Sequence, residues 1–185
     1  MKTVIILNAP PHSCKDTLAN IMVQQCAATK QEFKTALYHE TAKFYDMDLD
    51  LLIACATERT EKDDKDGFFF KLYGVTPRDA LINVSENVIK PNKGLDYFGI
   101  KAAKNLSEGL NVFSDGGGWL PEIKPVIQVA DKVLICRLYR HGFTFDNDSR
   151  QYYPSTVAGA VVTDIHLEEG NPLAAVDTIL QLIKE

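Results

Sequence analysis

No apolar run in this 185-residue chain approaches the roughly 20 residues that a helix needs to span a bilayer. The first apolar segment, Thr3 to Asn8, reads as a strand rather than as the core of a secretory leader. Cysteine is scarce: Cys14, Cys26, Cys55 and Cys136 are far apart and lack the paired spacing of a zinc site. The last three sit among apolar residues, which predicts reduced core thiols and a cytoplasmic compartment. Positive charge is not in excess either. Twenty Lys and Arg stand against 25 Asp and Glu, a net charge of −5, so no bulk attraction to nucleic acid or to an anionic membrane is expected. Internal repeats, linkers and low-complexity stretches are missing as well.

What is present suits one well-filled core: 45% hydrophobic and 24% charged residues over a length that favours a single domain, 1–185. Thr3 to Asn8 is apolar almost throughout, as in a strand buried on both faces of a parallel sheet. Lys15 to Thr29 carries Leu18, Ile21, Met22 and Cys26 at helical spacing. Phe33 to His39 reads as a second strand, and 41 to about 60 as a helix. Thr76-Pro77-Arg78 opens a helix that Pro91 is expected to stop. A short helix at Asp96 to Leu106, a strand at Leu110 to Ser114 and a helix at Glu122 to Ala130 follow. Lys132 to Tyr139 is a strong buried strand, 140–154 a polar loop or lid, Ala160 to Ile165 a last strand, and Pro172 to Lys184 an amphipathic helix. This alternation predicts an α/β three-layer sandwich around a mostly parallel sheet, with ligands at the carboxyl ends of the strands.

The segment Ile5 to Thr17 places an apolar strand, a small-residue loop, Lys15, a hydroxyl residue and a helix in immediate succession. That is the layout of a phosphate-binding loop, in which amide donors and a helix N-terminus face the anion and lysine adds a mobile charge. The pattern wants Gly where Ala9 and Cys14 stand, and a hydroxyl where Asp16 stands, with Thr17 one place late. The same residues also suit an ordinary strand–turn–helix connection with a surface lysine. Asp115 ends an apolar strand, where kinases with such loops keep a carboxylate for Mg²⁺, and Gly116-Gly117-Gly118 follow it. Those glycines either admit a ligand to the backbone or make a tight turn. Arg137, Arg140 and Arg150 bracket the lid, where arginines would neutralise a transferring phosphoryl group, though surface arginines look the same.

Asn8 to Thr17 resembles the NGPPGSGKDT-type loop of bacteriophage deoxynucleoside monophosphate kinases and their P-loop relatives. Three more segments agree in order and spacing: Thr76 to Leu81, the strand end Ser114-Asp115 with Glu122 downstream, and Asp164-Ile165-His166 before the last helix. The resemblance spans nearly the whole chain and implies a P-loop kinase-like fold. It implies ATP held by Ala9, Pro10, Pro11, His12, Ser13, Cys14, Lys15, Asp16 and Thr17, with Lys15 on the β- and γ-phosphates and His166 beside the adenine. Mg²⁺ would be held by Thr17 or Asp16 together with Asp115. Lys15, Asp115, Arg137 and Arg140 would be the catalytic set, and Arg78, Glu86, Trp119 and Arg150 the acceptor-binding set.

Two departures bear on function. A Cβ at Cys14 is expected to crowd the phosphate cradle. The phage monophosphate kinases carry Asp-x-Arg after this strand, whereas this chain has Asp115-Gly116-Gly117-Gly118-Trp119, with only Arg78 and Arg59 left on that side of the sequence. A monophosphate acceptor brings about two negative charges and calls for bidentate arginine. Its loss favours an acceptor without a terminal phosphate; the phage relatives that this chain resembles include kinases of the hydroxymethyl group of 5-hydroxymethyluracil in DNA, an acceptor that Trp119 or Tyr97 would suit by stacking on the base. The net charge of −5 weighs against DNA. A deoxynucleoside monophosphate kinase and a nucleotide-binding module without catalysis are the alternatives. The expected partners are ATP and one nucleotide-type acceptor, with no membrane; a homodimer stays open.

Overall fold

The computed structural model describes residues 1–58, 60–146 and 148–184. In chain order these form β1 (Lys2–Asn8), α1 (Lys15–Cys26), β2 (Thr29–Gln31), α2 (Lys34–Tyr45), α3 (Leu49–Thr57), α4 (Phe68–Tyr73) and α5 (Pro77–Asn83). A π-helical turn (Val84–Ile89) leads into α6 (Lys90–Lys93) and α7 (Tyr97–Lys104). Then come β3 (Gly109–Gly116), α8 (Leu120–Val129), β4 (Lys132–Tyr139), β5 (Val161–His166) and α9 (Pro172–Lys184). Two compact units result, one of residues 1–33 with 99–185 and one of residues 34–98. The single-domain reading drew no boundary at either point.

In the first unit the strands make one parallel sheet in the order β2-β3-β1-β4-β5. β1 is central, with Ile6 opposite Phe113 on one side and Ile135 on the other. Its side chains alternate between two cores, as the period of a strand dictates. Ile5 and Leu7 pack with Leu18 and Met22 of α1 and Val176 and Ile179 of α9. Val4 and Ile6 pack with Phe113, Ala102 of α7 and Ile123 and Val126 of α8. Helices on both faces of a parallel sheet complete the expected three layers. From β1 the chain crosses by α1 to the β2 side, whereas from β3 it crosses by α8 to β4 beyond β1. The carboxyl end of β1 is therefore the point where strand order reverses, the usual ligand crevice of such sheets.

The second unit is helical. Tyr38, Leu52, Phe69 and Ala80 form one cluster, and Val84, Ile89 and Phe98 another. Here the structure corrects the sequence reading. Residues 33–39 are not a strand: β2 lies earlier, at Thr29–Gln31, and α2 starts at Lys34 because Tyr38, Thr41 and Ala42 recur at helical spacing and are buried. The expected helix over 41–60 is two helices, broken where Asp46 takes φ 52° and restarted where the Asp48 carboxylate accepts from the Leu51 amide at 2.8 Å. Pro91 does not stop the helix opened by Thr76. The π-helical turn resets the phase, and Pro91 falls in the first turn of α6, where its missing N–H costs nothing.

The remaining strands and helices of the first unit match the reading to within a few residues. Between β4 and β5, the described part of 140–154 has neither helix nor strand. Its Tyr153 is buried and packs with Phe113 and Ile123. Among the described residues no helix is long and apolar enough to cross a membrane.

Phe33 and Phe113 stack with ring centroids 4.4 Å apart, both nearly fully buried beneath the β2–β3 edge. Truncating Phe113 to Ala is expected to cost about 3–5 kcal/mol, read as a fall in the urea midpoint at constant slope.

Candidate active site

The loop after β1 turns by placing two non-glycine residues in the left-handed region, His12 at φ 63° and Cys14 at φ 58°. Such a backbone costs about 1–2 kcal/mol for a residue with a Cβ, and isolated cases gather at functional sites. Cys14 caps α1, its carbonyl accepting from the Leu18 amide at 3.0 Å. Its side chain does not remove the loop conformation; the thiol lies 3.5 Å from the Arg140 guanidinium.

Lys15 folds back under the loop. Its Nζ donates to the carbonyl oxygens of Ala9 and Pro10, both at 2.7 Å, and only 9% of the residue is exposed. Burial, then the positive charge of Arg150, lowers its pKa from 10.5 to about 8, against the opposing pull of Asp16, Asp148 and Asp115. One of its three N–H donors is left for a ligand. Beside it the Ser13 hydroxyl is buried with no hydrogen-bond partner. An anion here would restore the charge balance of Lys15 and give that hydroxyl an acceptor, so the residues present fit a phosphate group.

Asn8, which the sequence reading used only as the end of a strand and the start of a loop, organises the surroundings. It is fully buried, and its amide nitrogen donates to the carbonyls of Gly116 and Gln151, each at 3.0 Å. Its amide oxygen accepts from the Tyr153 backbone at 2.9 Å. The end of β3 and the 151–153 segment are thereby tied to the start of the loop. The glycine triplet makes this approach feasible. A Cβ on Gly116 would lie 2.7 Å from Ile6 and 2.9 Å from the Leu7 carbonyl, and one on Gly118 would meet the Gln151 carbonyl at 2.1 Å. These glycines therefore serve contact between parts of the chain.

Asp115 accepts from the Phe33 amide at 3.1 Å and lies within electrostatic reach of Lys15 and Arg150. Asp16 accepts from Lys30 Nζ and from the Ser114 hydroxyl, both at 2.9 Å, and Thr17 is exposed in the first turn of α1. Among the described residues no group of three or more His, Cys, Asp and Glu side chains would hold a metal by itself. Mg²⁺ needs fewer protein ligands, taking most of its shell from phosphate oxygens and water, so the Thr17 hydroxyl and the Asp115 carboxylate suffice in kind.

The arginines diverge. Arg137, on β4, is bidentate to Asp164 at 2.6 and 2.7 Å and donates to the Tyr153 carbonyl at 3.1 Å. Arg140 reaches the loop, donating to the His12 carbonyl at 2.8 Å. Arg150 is held by Asp148 at 2.8 and 2.6 Å, which lowers the Asp148 carboxyl from 3.8 to about 2. Trp119 lies over Gly117, whose Cβ would sit 3.0 Å from its ring. His166 stacks on Tyr139, which stacks on Tyr152. Glu122 is buried near Tyr153. Two acceptor candidates belong to the second unit and are engaged inside it. Arg78 pairs with Asp63 at 2.6 Å, and Glu86 with Lys90. Arg59 lies outside the described residues.

Strand order and the helices on both faces define a three-layer α/β fold around a five-stranded parallel sheet, with the loop after β1 at its reversal point. No protein-family model matches the sequence, and no curated protein does. Among solved structures, a gluconokinase from Sinorhizobium meliloti 1021 superposes with a TM-score of 0.47 at 10% identity, covering 99% of this chain and 96% of its own. A shikimate kinase from Bacteroides thetaiotaomicron gives 0.34 at 11%, covering 100% and 79%. Neither likeness is close enough to speak for the chemistry.

Replacing Asn8 with Ala strands the buried Gly116 carbonyl and Tyr153 amide, at about 1–3 kcal/mol each, loses the part-buried bond to the Gln151 carbonyl, and is expected to lower the thermal midpoint sharply. Lys15 makes a pH prediction of its own. Because folding lowers its pKa to about 8, its charged form opposes folding below pH 8, and that penalty is relieved as pH rises toward 10.5. Denaturation of the wild type should show this gain in stability between those values, and Lys15→Met should lack it.

Proposed function

We propose that this protein is an ATP- and Mg²⁺-dependent phosphotransferase acting on a hydroxyl of a nucleotide-type acceptor. The observation that carries this reading is the buried Lys15 beneath a strained loop at the sheet's reversal point, beside the unpartnered Ser13 hydroxyl. ATP supplies the γ-phosphoryl group, and Mg²⁺ offsets its charge. Lys15 and the first amides of α1 hold the phosphates, and Thr17 with Asp115 offers oxygen ligands to the metal. The attacking hydroxyl loses its proton to a carboxylate, Asp115 or Glu122, as its oxygen bonds to phosphorus and the bond to the ADP oxygen breaks. Arg150, freed from Asp148, would meet the developing charge.

The reading of the acceptor is supported by which arginines are committed. No arginine stands in the Asp115–Trp119 stretch, Arg137 is bound to Asp164 and Arg78 to Asp63. That supports an acceptor without a terminal phosphate, and we assign the hydroxymethyl group of 5-hydroxymethyluracil in DNA, a step in thymidine hypermodification of viral DNA carried out in the host cytoplasm. Trp119 over Gly117 offers a ring for the base. The second reading, a deoxynucleoside monophosphate kinase, needs an arginine for the acceptor phosphate, and Arg150, within electrostatic reach of Asp115, would serve if it left Asp148.

Incubation with γ-labelled ATP and, in parallel, hydroxymethyluracil-containing DNA, hydroxymethyl-dUMP, dCMP, dGMP and dTMP decides the matter. Label is expected in the modified DNA and abolished by Lys15→Ala. Efficient labelling of free monophosphates alone would transfer the assignment to the second reading. Calorimetric binding of ATP without transfer to any acceptor would leave a nucleotide-binding module. Binding should weaken above pH 8 by up to about tenfold per unit as free Lys15 deprotonates.

A further inference from the structure

We infer that Arg140 is a positioning residue that holds the phosphate loop in its binding shape, substituting for the glycines that the loop lacks. The inference rests on the phosphate-loop reading above. His12 and Cys14 hold left-handed backbone at φ 63° and 58° although both carry a Cβ. Glycine would adopt these angles freely; here something must bias the loop toward them.

Arg140 is placed to do so. One guanidinium nitrogen donates to the His12 carbonyl at 2.8 Å and lies 3.5 Å from Cys14 Sγ, so it touches both strained residues. The guanidinium lies over the Phe143 ring with its carbon 4.6 Å from the centroid, and its other terminal nitrogen is 3.9 Å from the exposed Glu169 carboxylate. It follows directly on β4, whose Arg137 is paired with Asn8 of β1 in the sheet register, so its backbone is anchored to the strand that feeds the loop. By contrast, Lys15 holds the other half of the loop, at Ala9 and Pro10. The loop is thus gripped at both ends by cations donating to its carbonyls.

A positioning role and a direct contact to phosphate separate in a double-mutant cycle. ATP·Mg²⁺ affinity is measured by calorimetry for the wild type, Arg140→Gln, His12→Gly/Cys14→Gly, and the combination. Arg140→Gln should weaken binding about tenfold in the native loop and less than about twofold in the glycine loop, where no strain needs holding. Equal losses in both backgrounds, or no loss in either, would overturn the inference.

A second measurement needs no nucleotide. In a Cys26→Ser background, the rate of Cys14 alkylation by N-ethylmaleimide should rise severalfold with Arg140→Gln as the loop opens, with circular dichroism unchanged. An unchanged rate would sink the positioning role whatever the protein binds. Faster alkylation in a protein that binds no ATP would uphold it while removing the phosphate-loop reading.

Discussion

The buried amide of Asn8 is the contact on which the arrangement of the first unit's candidate site depends. It uses three hydrogen bonds to join the end of β1, the end of β3 and the returning 151–153 segment. Because a buried amide left unpaired is costly, these three chain segments can meet only in this register. The register in turn fixes where Asp115 and Arg150 stand relative to Lys15, since one is a residue before Gly116 and the other a residue before Gln151. Residues without side chains make the approach feasible at Gly116 and Gly118. The position of the charged groups is thus decided by neutral ones.

Electrostatics then gives the site its sign. Asp16, Asp148 and Asp115 all raise the pKa of Lys15, yet burial and Arg150 outweigh them and the net shift is downward. The folded protein therefore holds a cation in surroundings that under-solvate it. A negative charge brought close to Lys15 would offset that desolvation.

Much of this was legible in the sequence, because the strongest patterns are the most local. The apolar run of β1, the buried run of β4 and the amphipathic α9 needed only their own residues to be read. The position of the loop between β1 and α1, with Lys15 at its end, was legible from its order of strand, small residues, lysine and helix. What the sequence concealed was non-local. Residues 33–39 are apolar enough for a strand, and only packing inside the second unit shows that Tyr38, Thr41 and Ala42 share a helical face. Asn8 looks like any polar residue ending a strand. Arg137 and Arg140 stand three residues apart, yet one is bound to Asp164 and the other reaches the loop, a division set by strand pairing and turn geometry.

Apart from the buried Tyr153 hydroxyl, which also lacks a hydrogen-bond partner, the open polar groups of the first unit gather at one place. Toward β5 the chemistry is closed: Arg137 is bidentate to Asp164, and Tyr139, Tyr152 and His166 stack on one another. Arg150 is likewise matched by Asp148. At the loop after β1 the accounts stay open, with a buried hydroxyl on Ser13, a destabilised charge on Lys15 and strained backbone at His12 and Cys14. Folding free energy alone would favour relieving each of these, by Ala at 13, by a neutral residue at 15 and by Gly at 12 and 14. Their coincidence within four consecutive residues is hard to reconcile with a merely structural turn, and it follows naturally if a bound anion completes what the chain leaves undone.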